Sequence, residues 1–426
     1  MNHPFRSRIK AAISLLNESK TNQALVISSN PTAHRSADQC YPYRGNSDLF
    51  YFTGICAPDT TLVIRNYSKP AAVLIIPPVD PIRKVWEGAP VDPRPLAKSA
   101  GVAVSVSKRH TQTVLELLAG ADHAYTQAIR GTTSSVVRQD LSNRSVDQLG
   151  KLPATFSELE KFTAHLRLYK EPSEIEAIVR AAYVTGDALQ SAFPYIKPGA
   201  TERDIGAFID YYYRCAGGEP AFGTIVAAGR SAATLHYHTL SRTIRRGELV
   251  LIDTGVELDM YAADITRTIP VGGVISPVLR TLYEAVLSAQ RAAISKVKDG
   301  VLIKEVYTAA ATELTIGLKE VGVLKGPTSA LMKKEAFKPY FPHGIGHSLG
   351  IDVHDVGSLR GNQGARLKAG MVFTVEPGLY FSKGVGKVAP CGIRIEDDVL
   401  VTKAGSAVLT ESAFPKELAE LLAQTE

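Results

Sequence analysis

The sequence predicts an α/β (α+β) protein of two domains: a smaller N-terminal α/β domain over 1–168 and a larger one over 169–426, in which a duplicated αα-β unit surrounds a curved antiparallel sheet. Three observations predict this. The chain has 426 residues, more than one typical core accommodates. Helix-like and strand-like patterns alternate up to roughly residue 165 and break at Lys170-Glu-Pro172, where proline and charge suit a boundary. Beyond the break, Ile196-Lys-Pro-Gly-Ala-Thr-Glu-Arg-Asp-Ile205 and Val297-Lys-Asp-Gly-Val-Leu-Ile-Lys-Glu-Val306 carry hydrophobe, lysine, glycine and hydrophobe at matching offsets.

In chain order, Phe5, Ile9, Ile13 and Leu16 mark an amphipathic first helix ending near Lys20. Ala24–Ile27, Thr61–Ile64, Ala71–Ile76 and Val102–Val106 read as short buried strands, with helical periodicity over Thr113–Leu118. The aromatic stretch Tyr41–Gly54 and the single tryptophan, Trp86, read as a hydrophobic surface between domains or subunits, or as a substrate contact. Ser173-Glu-Ile-Glu176 has the form of a capping box and opens a helix with apolar residues at 175, 178, 179, 182 and 189. Two αα-β units follow, over about 173–270 and 277–400, which predicts a cleft between related halves.

Composition removes several classes of function. With 45% hydrophobic and 21% charged residues the chain is globular rather than disordered. A net charge of +6 with basic residues only in pairs, as at Arg245-Arg246, argues against nucleic-acid binding. No apolar run approaches a membrane span, and the N-terminus lacks a signal-peptide pattern. Four cysteines without metal-like spacing suit reduced thiols, so a cytoplasmic protein is expected.

The chemistry concentrates between Asp253 and Glu396. Asp253, Asp264, His347, Glu376 and Glu396 offer four carboxylates and one imidazole, each beside glycine or in a strand-like segment. Buried together, such carboxylates repel unless cations compensate, and five ligands suit two divalent ions. The aspartates fall on neighbouring strands of a hairpin with Glu257–Met260 as its turn. His343 and His347 stand at i and i+4, but two intervening glycines argue against a helix, and one ligand histidine is expected rather than two. Oxygen ligands with one imidazole favour Mn²⁺, Co²⁺, Fe²⁺ or Zn²⁺ over a thiolate site. Two ions sharing a water of lowered pKa would do hydrolytic chemistry. His236 and His354 are candidates to hydrogen-bond a substrate carbonyl, with His238 competing with His236.

These segments, in order, are Asp-Thr-Gly, Asp-Ile-Thr-Arg-Thr, His-Gly-Ile-Gly-His, Val-Glu-Pro-Gly-Leu-Tyr and Arg-Ile-Glu-Asp-Asp. Together with the Tyr41–Gly54 stretch they make the whole chain resemble the Xaa-Pro aminopeptidases (aminopeptidase P) of the pita-bread metallopeptidase group. The resemblance implies that Asp253 holds one metal, that Asp264 and Glu396 bridge both, and that His347 and Glu376 complete the second. It implies substrate and oxyanion binding by His236 and His354, proton transfer by Glu376, and ligand orientation by Arg394 and Tyr380. Two divalent ions, Mn²⁺ foremost, are the implied cofactors. The implied substrate is a peptide with proline second, from which the first residue is released. The family also implies a homodimer or homotetramer in which N-domain residues, Trp86 among them, cover a neighbour's cleft.

One departure stands out. Gly346 and Ser348 occupy places where aminopeptidase P commonly has serine and tryptophan, and Gly346 is closer to the prolidase pattern. An Xaa-Pro dipeptidase is therefore the alternative, and a non-catalytic pita-bread binding module the remote one.

Overall fold

In the computed structural model, which describes residues 4–127, 153, 155–357, 359 and 364–424, the strands expected near the N-terminus pair into one mixed sheet. Its order is Ala103–Val106, Ala72–Ile76, Thr61–Arg65, Gln23–Ser28, His123–Thr126 and Thr155–Glu158. Thr61–Arg65 and Ala72–Ile76 are buried along their whole length, as continuous apolar runs covered on both faces must be. The first helix spans Phe5–Asn17 and stops short of Lys20, because the polar run after Leu16 has no apolar face to bury. Much of the aromatic stretch turns inward: Ser47–Thr53 is a helix capped by the Asn46 side chain, with Tyr51 and Phe52 in the core. Trp86 differs, standing 82% exposed on the helix Pro81–Glu87, which buries none of its residues.

This N-terminal unit runs Met1–Arg167, and a second unit, Leu168–Glu426, contains the duplicated part of the chain. Its first helix is Pro172–Ala192. The capping residues differ from those expected at Ser173–Glu176: the cap is Glu171, whose N–H donates to the Glu174 carboxylate at 3.0 Å. Pro172 decides the frame, since proline is favoured at the first helical position, where its missing N–H costs nothing.

The duplication is visible bond by bond. Helices Pro172–Ala192 and Glu202–Cys215 form one pair, Pro277–Lys296 and Ile303–Glu320 the other. Between the members of each pair lies a glycine in the left-handed region, Gly199 (φ 95°) or Gly300 (φ 87°). Gly199 N–H donates to Ile244 O at 3.0 Å and Ile244 N–H returns to Ala200 O at 2.8 Å. In the second half Gly300 donates to Leu367 O and Leu367 returns to Val301 O, both at 2.8 Å. Each second helix begins with a backbone N–H held by an acidic side chain, Thr201 by Asp204 at 2.9 Å and Leu302 by Glu305 at 3.1 Å. Strands Leu249–Thr254 and Val372–Val375 then follow, so Asp253 and Glu376 each stand four residues past their strand's first residue (249 to 253, 372 to 376).

Both halves continue as antiparallel pairs. Leu249–Thr254 pairs with Ile225–Ala228 and Ile265–Pro270, and Val372–Val375 pairs with Asp397–Val401. The hairpin carrying the aspartates turns more tightly than expected. Val256–Leu258 pairs with Tyr261–Ala262, leaving only Asp259 (φ 51°) and Met260 (φ 68°) in the turn rather than Glu257–Met260. Two left-handed residues give the turn whose twist matches its strands. One apolar core spans both halves, from Leu189 and Tyr213 to Leu314 and Phe373. Among the described residues no helix is long and apolar enough to cross a membrane.

The second helix pair crosses at Gly317, where an added Cβ would lie 2.2 Å from the Ala285 Cβ. Gly317→Ala is expected to destabilise the protein by about 1–3 kcal/mol through overpacking. Adding Ala285→Gly should recover much of that loss, read as the urea midpoint of single and double variants.

Candidate metal centre and active site

Strand geometry brings the two aspartates together. Asp253 pairs with Thr266 across the ladder, and Asp264 lies two residues from Thr266, so both carboxylates leave the same face of the sheet. Thr266 and Thr268 share that face. Thr266 Oγ1 donates to Glu396 Oε2 at 2.5 Å, and Thr268 Oγ1 donates to the Arg394 carbonyl at 2.9 Å. Glu396 N–H donates to Thr266 O at 3.1 Å, which docks the second half's acidic residue against the first half's strand. Arg267 points the other way and is wholly buried. Its guanidinium donates to Glu396 O (2.6 Å), Asp397 Oδ1 (2.8 Å) and Phe414 O (3.0 Å), fixing the backbone of Glu396 from behind.

His347 is set by a neighbouring strand. Its N–H donates to Thr374 Oγ1 at 3.1 Å, and Thr374 N–H donates to His347 O at 2.9 Å. A Cβ on residue 346 would lie 1.7 Å from Thr374 O, so glycine at this place has a local packing cause. His347 Nδ1 lies 3.2 Å from Ser348 O, while Nε2 lies 3.4 Å from Asp264 Oδ2 and 3.8 Å from Glu376 Oε1. A proton on Nδ1 leaves the Nε2 lone pair facing the carboxylates, the tautomer a ligand histidine needs.

The electrostatics are those of a site built for positive charge. Burial, then the charges of Asp253, Asp398 and Glu376, push the Asp264 carboxyl well above its ordinary range. Burial, then Asp264, Glu376 and Asp253, do the same to Glu396, and burial raises Glu376. Burial by itself would lower Arg394, but Tyr380 and the carboxylates of Asp253, Glu396 and Glu376 outweigh it and hold the guanidinium protonated. Arg394 donates to Asp253 Oδ2 at 2.5 Å, Tyr380 OH at 2.9 Å and Thr266 Oγ1 at 3.0 Å. Burial raises the Tyr380 phenol to about 12, so it stays a neutral donor.

Of the five expected ligands, Asp264, His347 and Glu396 bring ligand atoms within 4.8 Å of one another. Glu376 adjoins this group through His347, and Asp253 adjoins it through Arg394. The buried oxygens Asp253 Oδ1 and Asp264 Oδ1 have no hydrogen-bond partner. Unpartnered buried carboxylate oxygens beside an imidazole lone pair fit a divalent cation, which would satisfy them and relieve the repulsion.

A pocket of about 210 Å³ opens onto these groups, lined by all five together with His236, His238, His343, His354 and Arg394. The His354 ring packs edge-on against His347, with centroids 4.2 Å apart. Tyr380 lies behind the lining, holding His343 Nε2 at 2.9 Å. Trp86 belongs to the N-terminal unit and is not among the lining residues. Sequence reasoning missed Thr266, whose signal was the alternation of Asp264, Thr266 and Thr268. It also gave His343 no place of its own, and it overlooked the apolar lining of Phe222, Ile225, Leu235 and Val353, which carries no local motif.

Comparison with known proteins places this geometry. The model of metallopeptidase family M24 matches residues 176–403, and that of the aminopeptidase P N-terminal domain matches residues 5–125. The Xaa-Pro aminopeptidase of Haemophilus influenzae is 33% identical over 409 residues, covering 94% of this chain and 92% of its own. Aminopeptidase PepP of Pseudomonas aeruginosa superposes with a TM-score of 0.91 at 33% identity, covering 100% of this chain and 98% of its own. Aminopeptidase P of Escherichia coli with the inhibitor Pro-Leu superposes with a TM-score of 0.90, again at 33% identity, covering 99% and 98%. By the span of the family match and the likeness along nearly its whole length, this chain belongs to metallopeptidase family M24, here joined to an aminopeptidase P type of N-terminal domain.

Proposed function

We propose that this chain is a metal-dependent Xaa-Pro aminopeptidase, releasing the first residue of peptides whose second residue is proline. The observation that carries the reading is the meeting of Asp264, His347 and Glu396 beside unpartnered oxygens of Asp253 and Asp264 in one pocket. Membership of family M24 implies divalent metal ions. Two are proposed, Mn²⁺ foremost, with Co²⁺, Fe²⁺ or Zn²⁺ also suited to the donors. Asp253 would hold one, Asp264 and Glu396 would bridge both, and His347 with Glu376 would complete the second. When bound, the ions supply a water acidic enough to attack a carbonyl at neutral pH.

The remaining work falls to side chains. An Xaa-Pro bond is a tertiary amide without N–H, so the pocket must recognise it by its carbonyl, its ring and the free α-amine. His236 and His354 hydrogen-bond the carbonyl oxygen as negative charge develops there. Glu376 takes a proton from the attacking water and passes it to the proline nitrogen as the C–N bond breaks, leaving a carboxylate and a secondary amine. Arg394 and Tyr380 keep Asp253 and His343 in place from behind. Phe222, Ile225, Leu235 and Val353 offer the ring an apolar wall.

Xaa-Pro dipeptidase activity is not favoured: the relatives compared are aminopeptidases along almost their full length, and the glycine that suggested it is explained by Thr374. We take 1–168 and 169–426 as the two domains, supported by the division after Arg167. We propose a homodimer or homotetramer in which Trp86 of one copy covers the pocket of another, supported by the exposed apolar face of Ile82, Val85 and Trp86. A cytoplasmic location is supported by four free cysteines.

With Mn²⁺ added, the protein is expected to cleave Xaa-Pro-Yaa tripeptides at least about tenfold more efficiently than Xaa-Pro dipeptides, read as kcat/KM by chromatography. Preference for dipeptides would overturn the aminopeptidase reading. Glu396→Ala should lower kcat by about a thousandfold or more while circular dichroism stays unchanged. Wild-type turnover by that variant would remove Glu396 from the site. Because Asp264 and Glu396 hold protons to unusually high pH, metal must displace them. Apparent Mn²⁺ affinity should therefore rise with pH, by about tenfold per unit for each proton displaced, until the raised pKa values are passed. Calorimetry across a pH series reads this, and a flat profile would contradict it.

A further inference from the structure

We propose that Glu202 and Tyr237 form a clamp that positions His236, making Tyr237 a positioning residue of the Xaa-Pro peptidase reaction; the inference rests on that reading. Glu202 opens the helix Glu202–Cys215 and is wholly buried, yet among the described residues it pairs with no cation. Its carboxylate instead accepts three hydrogen bonds: from Ala228 N–H at Oε1 (2.8 Å), and from Tyr237 OH (2.8 Å) and Arg242 N–H (2.9 Å) at Oε2. A buried charge held this way is costly to keep, so its three donors indicate what it secures.

Those donors bracket one segment. Ala228 ends the strand Ile225–Ala228, Arg242 lies beyond the pocket-lining stretch, and Tyr237 is in its middle. Glu202 N–H also donates to Arg242 O at 3.0 Å, and the Arg242 side chain bonds the Ala228 carbonyl and Glu248, so both ends are tied together. Between the ties, residues 237–242 have no regular structure, and Leu240 is held at φ 47°, where a side chain is rarely found. His236 and His238 line the pocket, while the Tyr237 ring between them packs against the apolar cluster of Ile225, Ala227, Ala232 and Leu251. The phenol is thus a peg, and its bond to the carboxylate sets how far the flanking imidazole reaches toward the substrate carbonyl. His236 is itself exposed, so little else fixes it. A shift of about 1 Å at such a donor is enough to cost two orders of magnitude in rate.

Tyr237→Phe keeps the ring and deletes only the peg's tip. Wild type, Tyr237→Phe, His236→Ala and the double variant would be assayed on an Xaa-Pro-Yaa tripeptide with Mn²⁺, alongside Mn²⁺ calorimetry and thermal unfolding. The expected result is a kcat loss of about tenfold or more in Tyr237→Phe, with KM, metal affinity and unfolding temperature close to wild type. In the His236→Ala background the same change should move kcat by less than about twofold, because the tyrosine acts through that histidine. An equal loss in both backgrounds, an unmoved kcat, or a loss that merely follows a lowered unfolding temperature would overturn the clamp while leaving the peptidase reading intact. A wild-type protein that cleaves no Xaa-Pro peptide would overturn both.

Discussion

The repulsion among four carboxylates governs this structure. Asp253, Asp264, Glu376 and Glu396 converge where water is scarce, with Arg394 at their edge bonded to one of them. Neither chain half supplies such a group alone: the aspartates come from one, the glutamates from the other. What keeps the acids in place is mostly neutral. Threonine hydroxyls hold Glu396 and the Arg394 carbonyl, and backbone amides tie the halves at Thr266. Neutral donors orient a carboxylate without cancelling the charge that makes it useful to a cation.

Behind these pocket acids the logic reverses. Asp397 lies on the far side of the strand from Glu396 and accepts bonds from Arg267, Gln290, Thr410 and Lys416. Burial by itself would raise its pKa, yet Arg267 and Lys416 overcome this and hold it below the usual carboxylate range. Adjacent acids thus have opposite electrostatic fates because strand alternation turns them to opposite faces. One is compensated by cationic side chains, while the other faces the pocket and is held by a threonine hydroxyl.

The sequence was legible where a local rule had no competitor. The buried strands at Gln23–Ser28, Thr61–Arg65 and Ala72–Ile76, the duplicated helix pairs and the glycines between them follow from periodicity and turn chemistry, and the structure returns them. The strand expected to be buried at Val102–Val106 instead forms the sheet's edge as Ala103–Val106, half-buried with Val106 exposed. Expectation failed at edges. Ser173–Glu176 satisfied the capping pattern, but Pro172 moved the helix start to Glu171; the hairpin turn shrank because Asp259 and Met260 accept left-handed conformations usually left to Asn and Gly. Within the site, acids next to glycine could be picked out along the chain. Thr266 could have been, from its alternation with Asp264 and Thr268; Glu202 and Tyr237 could not, since their importance lies in each other, 35 residues apart. The packing that demands glycine at 346 was equally hidden, because Thr374 meets it only in three dimensions.

The tie between Arg267 and the Phe414 carbonyl, with Lys416 on Asp397, bears on how the molecule is made. Every acidic group of the pocket leaves the ribosome before these two outer anchors. A nascent polypeptide that has emerged only to about residue 400 already carries Arg267, but neither the Phe414 carbonyl that Arg267 also binds nor the Lys416 ammonium that offsets Asp397, so the packing behind Glu396 is completed only when synthesis has run on past Lys416.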